Sequence, residues 1–373
     1  MKSKKIKLYL TAQQRQILRQ WEGTSRFTYN QTVGLLKQPD IKASWFSLKG
    51  DLLKQLPEWA MTVPYQVKSI AIRDACSAVK QAKLKCKQTG IPSVVRFRAK
   101  RAPERSIFIP KSAISAKGVY HTLLGAIRAS EVIPESCLDS RLLLRNGEYF
   151  LAVPYKATIR LSENQARVVA LDPGIRTFIT FFAEKSFGKL GTNDIGRIYR
   201  LCHYMDKLSS RISTSKSKYR TRRARLRMSA KIRDLINELH HKVALFLVTN
   251  FDIILLPLFE SSRMVIKGHR KLNSKAARAM LTFSHYRFKK FLEHKAREYG
   301  KLVVTVDESY TSKTVSWTGE LVPKLGSARF IKDSKGVRMD RDLNGARNIL
   351  IKSLSDSTFR EELNLLGCSV NIC

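Results

Sequence analysis

The sequence predicts an α/β protein in two parts. The first half is β-rich and carries a helical insertion; the second runs hairpin, helix, strand, helix, strand, helix. Three observations predict this. The hydrophobic period is helical over residues 41–92 and becomes strand-like from Ser93 to about Ile159. In the second half, apolar strands alternate with helical stretches, and acidic residues gather at strand ends or at the start of the last helix. Finally, a chain of 373 residues that is 43% hydrophobic can bury real cores, which suits about two or three compact units.

The elements follow in order. KKIKLYL alternates as a basic first strand, and the helix that begins in TAQQRQILRQ carries Thr11 and Gln14 at the spacing of a capping box. Within 41–92 the strongest helical segment is VKSIAIRDACSAVKQAKLKCK. In RLLLRNGEYFLAVPY, Asn146-Gly147 between two apolar runs predicts a tight hairpin. ARVVALDPGIRTFITFF gives a strand with Asp172 near its end, a Pro173-Gly174 turn and a second strand from about Thr177. TNFDIILLPLFE and KLVVTVDESY supply two more strands, each after a helical segment, and GARNILIKSL closes as a helix with Asp342 at its start.

Charge narrows the function. Against 30 Asp and Glu stand 69 Lys and Arg, a formal net charge of +39, and both halves are basic. Self-repulsion on that scale is relieved by a polyanion, so the natural partner is an extended nucleic acid. From Lys207 to Arg233 there are 11 Lys and Arg and no acid, and Lys216, Lys218, Arg220, Arg222, Arg223, Arg225 and Arg227 are the candidate phosphate contacts. A solvated face is the ordinary reading of such a run. No uncharged apolar run approaches the ~18 residues of a membrane span and no signal-peptide pattern opens the chain, so an intracellular protein without a membrane is expected. The six cysteines form no CxxC pair, which fits a reducing compartment and argues against a Cys-based zinc site. His240 and His241 diverge in direction on a helix and read as ordinary histidines.

The acids suggest a chemistry. Phosphodiester hydrolysis needs charge neutralisation at the phosphate and an activated water, and two Mg²⁺ ions roughly 3.5–4 Å apart supply both. Carboxylates without His or Cys are the ligand set such ions prefer, and the carboxyl edge of an open sheet is where sites form.

Three stretches, ALDPGIRTFIT, ESYTSKT and DRDLNGARNIL, resemble in order and spacing the split RuvC motifs of the TnpB family of transposon-encoded RNA-guided nucleases and the related Fanzor proteins. NSKAARAMLTFSHYRFKKFLEHKA between them is also similar to that family, and KIKLYLTAQQRQILRQWEGTSRFTYNQ is similar to the start of its wedge domain. The resemblance implies an RNase H-like (RuvC) nuclease domain over 166–373, with a basic helical segment at 200–250 and a degenerate zinc-ribbon-like hairpin at 311–340. It also implies a β-barrel-like wedge domain at 1–40 and 93–165, interrupted by a helical recognition insertion at 41–92. The implied reaction is cleavage of double-stranded DNA beside a short motif read by the protein, directed by a structured guide (omega) RNA encoded beside the gene. Asp172 and Asp342 are the implied ligands of two Mg²⁺ ions, with Mn²⁺ as the alternative metal. A monomer within the ribonucleoprotein is expected, in the cytoplasm or nucleoid of a prokaryote or the nucleus of a eukaryote.

Two departures from the family matter. Val315 and Thr318 in TSKTVSWTGE stand where relatives carry a CxxC pair, and no cysteine lies between Lys301 and Arg360, so no zinc is expected. This segment is expected to fold as a small hairpin held by residues such as Trp317, Leu325 and Phe330. Second, aligning the family's YDxIxxE on FDIILLP puts Pro257 where a metal-binding glutamate belongs. Glu308 and Glu260 can replace it. Glu308, on the next strand, is preferred, because a glutamate reaches ~5 Å across to a neighbouring strand. Glu260, three residues past Pro257, turns to the opposite face unless the proline bends the chain. A Fanzor-containing branch of the family is similar in drawing its glutamate from farther along. Asp307 and Asp340 are set aside, since Asp342 is the residue that matches the family aspartate. Two functional readings result, an active Mg²⁺-dependent RNA-guided DNA endonuclease and a catalytically inactive RNA-guided DNA-binding regulator. An unguided nuclease leaves the basic first half unexplained.

Overall fold

A computed structural model describes residues 2–38, 40–100, 102–156, 167–258, 264–266, 273–307, 309–323, 325–326 and 328–356. The chain forms two compact units, Met1–Ala157 and Thr158–Cys373. No helix among the described residues is long and apolar enough to cross a membrane.

In the first unit, strand β1 (Lys2–Tyr9) leads into helix α1 (Ala12–Leu35). The capping box is formed: the Thr11 hydroxyl accepts from the Gln14 backbone N–H, and the Gln14 side chain accepts from the Thr11 N–H. That satisfies two donors a helix start otherwise leaves without partners. Helices α2 (Trp45–Lys54) and α3 (Tyr65–Thr89) follow, with α3 packed on α1. Next come β2 (Glu104–Ile109), β3 (Ile114–Ser115), β4 (Gly118–Val119), a single turn α4 (His121–Leu124), β5 (Arg128–Ala129), β6 (Ser140–Arg145) and β7 (Glu148–Tyr155). Asn146 and Gly147 join β6 to β7 with φ of 55° and 82°, the left-handed pair that a two-residue hairpin turn requires. Five strands make an antiparallel sheet in the order β2-β6-β7-β1-β5. The end strands β2 and β5 do not pair with each other among the described residues, so hydrogen bonding does not close the sheet into the expected barrel. Ile6, Leu8, Leu142 and Leu151 turn inward to meet Leu18 and Trp21 of α1.

The second unit opens with the antiparallel strands β8 (Val168–Pro173), β9 (Ile179–Ala183) and β10 (Phe187–Leu190). Helices α5 (Asp194–Ser210) and α6 (Lys218–Asn250) lead to β11 (Ile253–Pro257), and α7 (Ser274–Phe283) and α8 (His285–Glu298) lead to β12 (Leu302–Val306). The hairpin β13 (Phe330–Lys332) and β14 (Arg338–Asp340) precedes α9 (Arg341–Ser355). The sheet order is β10-β9-β8-β11-β12, and β11 lies parallel to both β8 and β12. Short turns permit only the antiparallel pairs; the parallel ones need the helical crossovers. This arrangement is consistent with the RuvC-type fold that the resemblance implies.

Each face of the sheet is covered. Val169, Leu171, Ile254 and Leu256 face Leu247, Val248 and Leu292 of α6 and α8. Ala170, Ile253 and Leu255, with Val304 and Val306 beside them, face Ile349 and Leu350 of α9. Buried on both sides, β11 reads IILLP without alternation, as an inner parallel strand should. Where β11 starts, Asp252 is buried and ion-paired with Arg167 at 3.1 Å and with the buried Lys301. Burial alone pushes its carboxyl up, but hydrogen bonds from Arg167 and Lys301 outweigh that and hold it below the usual range.

The segment before α9 has a core of its own, with Val315, Leu325 and Ile331 buried among Trp317, Val322 and Met339. The Trp317 indole N–H donates to Asp333 at 2.7 Å. Phe330, expected in this core, is instead 43% exposed, with the guanidiniums of Arg329 and Arg338 over its ring at 5.7 and 5.4 Å. Alternation explains the difference: with Ile331 inward, its neighbour on a strand turns outward.

Two buried histidines anchor the other face. His240 of α6 and His285 of α8 both stack on Phe178, at 5.2 and 5.0 Å between ring centroids. Their Nε2 atoms lie 2.8 Å from the Phe283 carbonyl and 3.2 Å from that of Gly174. A carbonyl only accepts, so each ring carries its proton on Nε2. Burial lowers both from 6.5 to about 4. Between those values the unfolded chain binds more protons, so this stability is complete above pH 6.5 and is lost as pH falls towards 4, on the order of 2–3 kcal/mol per ring. Urea midpoints measured from pH 7.5 to 4.5 should therefore fall steeply, and His240→Leu should flatten the slope; an unchanged slope would contradict the assignment.

Candidate metal centre and basic hairpin

One row of residues crosses the second sheet. Asp172 of β8 pairs with Thr180 of β9, and Thr180 pairs with Lys189 of β10. On the other side Leu255 pairs with Ala170, so Pro257, two residues on, stands abreast of Asp172, and Pro257 in turn pairs with Val306. Residues two apart on a strand share a face. Because Ala170, Leu255 and Val304 face α9, Asp172, Pro257 and Val306 do so as well.

Helix α9 brings the second carboxylate to this row. Asp340 is its N-cap, accepting from the backbone N–H of Asp342 at 3.1 Å and of Leu343 at 3.4 Å. Its carboxylate is also 2.6 Å from Lys189 Nζ and 3.8 Å from Arg329 Nε. Asp342, in the first turn, has a side chain 46% exposed and lies 4.0 Å from the same Lys189 Nζ. One turn further along α9, Gly345 stands against Asp172: a Cβ at that position would come within 2.7 Å of Asp172 Oδ2. Asp342 and Gly345 are three residues apart and share a helix face. Asp172 thus lies against the first two turns of α9, the stretch that carries Asp342.

The other acids divide clearly. Asp340 is occupied as a cap and ion pair. Asp307 is tied to Lys352 at 2.6 Å and to the Ser309 hydroxyl and N–H, which together hold its carboxyl down to about 2. Both proposed third ligands, Glu308 and Glu260, lie outside the described residues. Among the described residues no group of three His, Cys, Asp or Glu could hold a metal. Asp172 and Asp342 nonetheless fit Mg²⁺, which takes one or two carboxylates and keeps several waters.

The basic run occupies the hairpin between α5 and α6. No residue between Cys202 and Ile232 is buried; Lys216, Lys218, Arg220, Arg222, Arg223 and Arg227 are exposed and Arg225 is half-buried. At 1.5 Å per residue, α6 extends ~20 Å beyond Ile232, its first core residue. Since α6 returns directly into β11, its basic start is directed towards the edge at which β11 ends in Pro257. Exposed Tyr219 lies under Arg223, 5.7 Å from ring centroid to guanidinium.

Sequence reasoning missed Lys189 and Gly345. Nothing local in FGKL marks Lys189, because its place depends on strand register. Gly345 did leave a signal, a glycine inside a helix costing about 1 kcal/mol against alanine.

A Cas12f1-like TNB domain model matches residues 285–349, and a helix-turn-helix domain model matches residues 1–38. The latter stretch folds here as strand β1 and helix α1. "Putative transposase A625R" of Paramecium bursaria Chlorella virus 1 is 28% identical over 385 residues, covering 95% of this chain and 87% of that protein. TnpB-like protein L79 of Acanthamoeba polyphaga mimivirus is 25% identical, covering 93% and 72%. A "Putative RNA-guided DNA endonuclease" of Streptomyces pristinaespiralis is 26% identical over 275 residues, covering 70% and 66%. The solved structure of the mini-RNA-guided endonuclease CRISPR-Cas_phi3 aligns over 94% of this chain and 92% of its own, with a TM-score of 0.48 and 8% identity, too distant to bear on function. Two family models of TnpB-type domains and TnpB-like relatives match it, so the chain is TnpB-like in sequence.

Gly345→Ala should displace the Asp172 carboxylate and weaken Mn²⁺ binding about tenfold, as supporting residues of metal sites do, while the melting temperature stays near wild type. Electron paramagnetic resonance of free Mn²⁺ reads the first and a thermal melt the second; unchanged affinity would show that the close approach does not position Asp172.

Proposed function

We propose that the chain is an RNA-guided, Mg²⁺-dependent DNA endonuclease that cuts double-stranded DNA beside a short motif read by the protein. The observation that carries this reading is the close approach to Asp172 of the helix whose first turn holds Asp342, in a chain with net charge +39. The Streptomyces relative, named as an RNA-guided DNA endonuclease, supports it. In this reading the second unit is the RNase H-like nuclease domain. The first is the wedge domain, with α2 and α3 as the recognition insertion that contacts guide RNA. Bound Mg²⁺ supplies charge neutralisation at the phosphate and an activated water. Asp172 and Asp342 hold it, and the α5–α6 hairpin carries phosphate backbone along its arginines and lysines while base pairing reads sequence.

The third carboxylate in this reading is Glu308 rather than Glu260, both of which lie outside the described residues. Glu308 thus takes over from Pro257, as in the family branch with a rearranged glutamate. The loss of an acid at Pro257 equally suits the second reading, an inactive RNA-guided DNA-binding regulator.

The test is to purify the chain with its locus RNA and challenge a plasmid library in Mg²⁺. Wild type should cut; Asp172→Ala, Asp342→Ala and Glu308→Ala should each lose on the order of 10³-fold in rate while still binding target, and Glu260→Ala should cut normally. A wild type that binds but never cuts establishes the inactive regulator, and a dead Glu260→Ala beside an active Glu308→Ala reassigns the third ligand. In the hairpin, replacing Arg222, Arg223 and Arg227 together by Ala should weaken nucleic-acid binding across sequences and lower the slope of log affinity against log salt by about 2 to 3, measured by filter binding at several salt concentrations.

A further inference from the structure

Lys189 stands at one end of the row that contains Asp172, two strands away, and both face α9. Its ammonium lies 2.6 Å from Asp340 and 4.0 Å from Asp342, on a side chain that is only 25% exposed. A fixed cation is therefore built into the carboxylate cluster. At such distances it competes with any divalent ion for Asp342, because two positive charges within a few ångströms of one carboxylate repel strongly in a partly desolvated site. A phosphate in the same place has the opposite effect, attracting the ammonium and releasing Asp342.

We infer that Lys189 is a resident counter-ion that makes metal binding depend on nucleic acid. Without polyanion it neutralises the Asp340–Asp342 end of the cluster and keeps metal affinity low. When a phosphodiester strand enters, the ammonium turns to phosphate, Asp342 is freed and the metal binds more tightly. By linkage the metal must then tighten binding of the strand by the same factor. The cluster would in this way stay poorly loaded until substrate is present. This inference rests on the reading of Asp172 and Asp342 as metal ligands. Asp340 remains held without Lys189, since the backbone N–H groups of Asp342 and Leu343 and the Arg329 guanidinium also contact it.

The experiment is a binding cycle on the full chain, titrating Mn²⁺ by electron paramagnetic resonance with and without a short oligodeoxythymidine, and needs no cleavage. In wild type the oligonucleotide should tighten Mn²⁺ about tenfold, within the usual range of coupling between sites. Lys189→Met should bind Mn²⁺ tightly with or without the strand, abolishing the coupling, and Lys189→Arg should restore it. A merely structural Lys189 would predict the reverse, weaker Mn²⁺ binding in Lys189→Met, and that result overturns the inference, as does an absence of coupling in wild type. Asp342→Ala separates the two readings. If it leaves Mn²⁺ affinity intact, the metal assignment itself fails; if it abolishes binding while coupling is absent, only the role of Lys189 falls.

Discussion

The second unit depends on how closely α9 lies against β8. A helix can approach a carboxylate at the distance seen for Asp172 only where it has no side chain, and Gly345 provides that one position. The energy comes from the apolar side of the same helix, where Ile349 and Leu350 are buried over Ala170, Ile253 and Leu255 at about 1.5–3 kcal/mol per large side chain. Drawing aspartates together opposes this through like-charge repulsion. Lys189 and the positive end of the α9 dipole offset that repulsion at the end of the helix where Asp340 and Asp342 sit.

The same balance recurs at the scale of the chain. A net charge of +39 is tolerable in the compact parts because hydrophobic layers hold them, but the α5–α6 hairpin between Cys202 and Ile232 has no fully buried residue. Met205 and Met228 pack against the core and Asp206 pairs with Arg278, while the tip carries arginine and lysine against water.

Much of this was legible in the sequence where local chemistry decides. The Thr11–Gln14 capping box and the Asn146-Gly147 turn are encoded within four residues, and both are formed. The carboxyl-edge aspartates were legible because an apolar strand ending in Asp172 and a helix beginning at Asp342 each announce themselves by period. Phe330 was misjudged because in a three-residue strand its facing is set by which neighbour the mini-core selects, here Ile331. Lys189 was invisible for a related reason: its importance comes from lying in register with Thr180 and Asp172, and register between distant strands is a tertiary property. Gly345 could have been found by asking why a helix of this length tolerates a glycine.

One feature of the sheet bears on how Asp172 behaves under load. Pairing between β8 and β11 ends at Ala170 and Leu255, whereas β8 remains paired with β9 through Asp172 to Pro173. Pro257, abreast of Asp172, brings no N–H with which to extend the missing rungs. Among the described residues the end of β8 is thus clamped on one flank and compliant on the other. The tip that carries Asp172 is thus held from its β9 flank and from the face on which α9 approaches at Gly345, and not by rungs to β11.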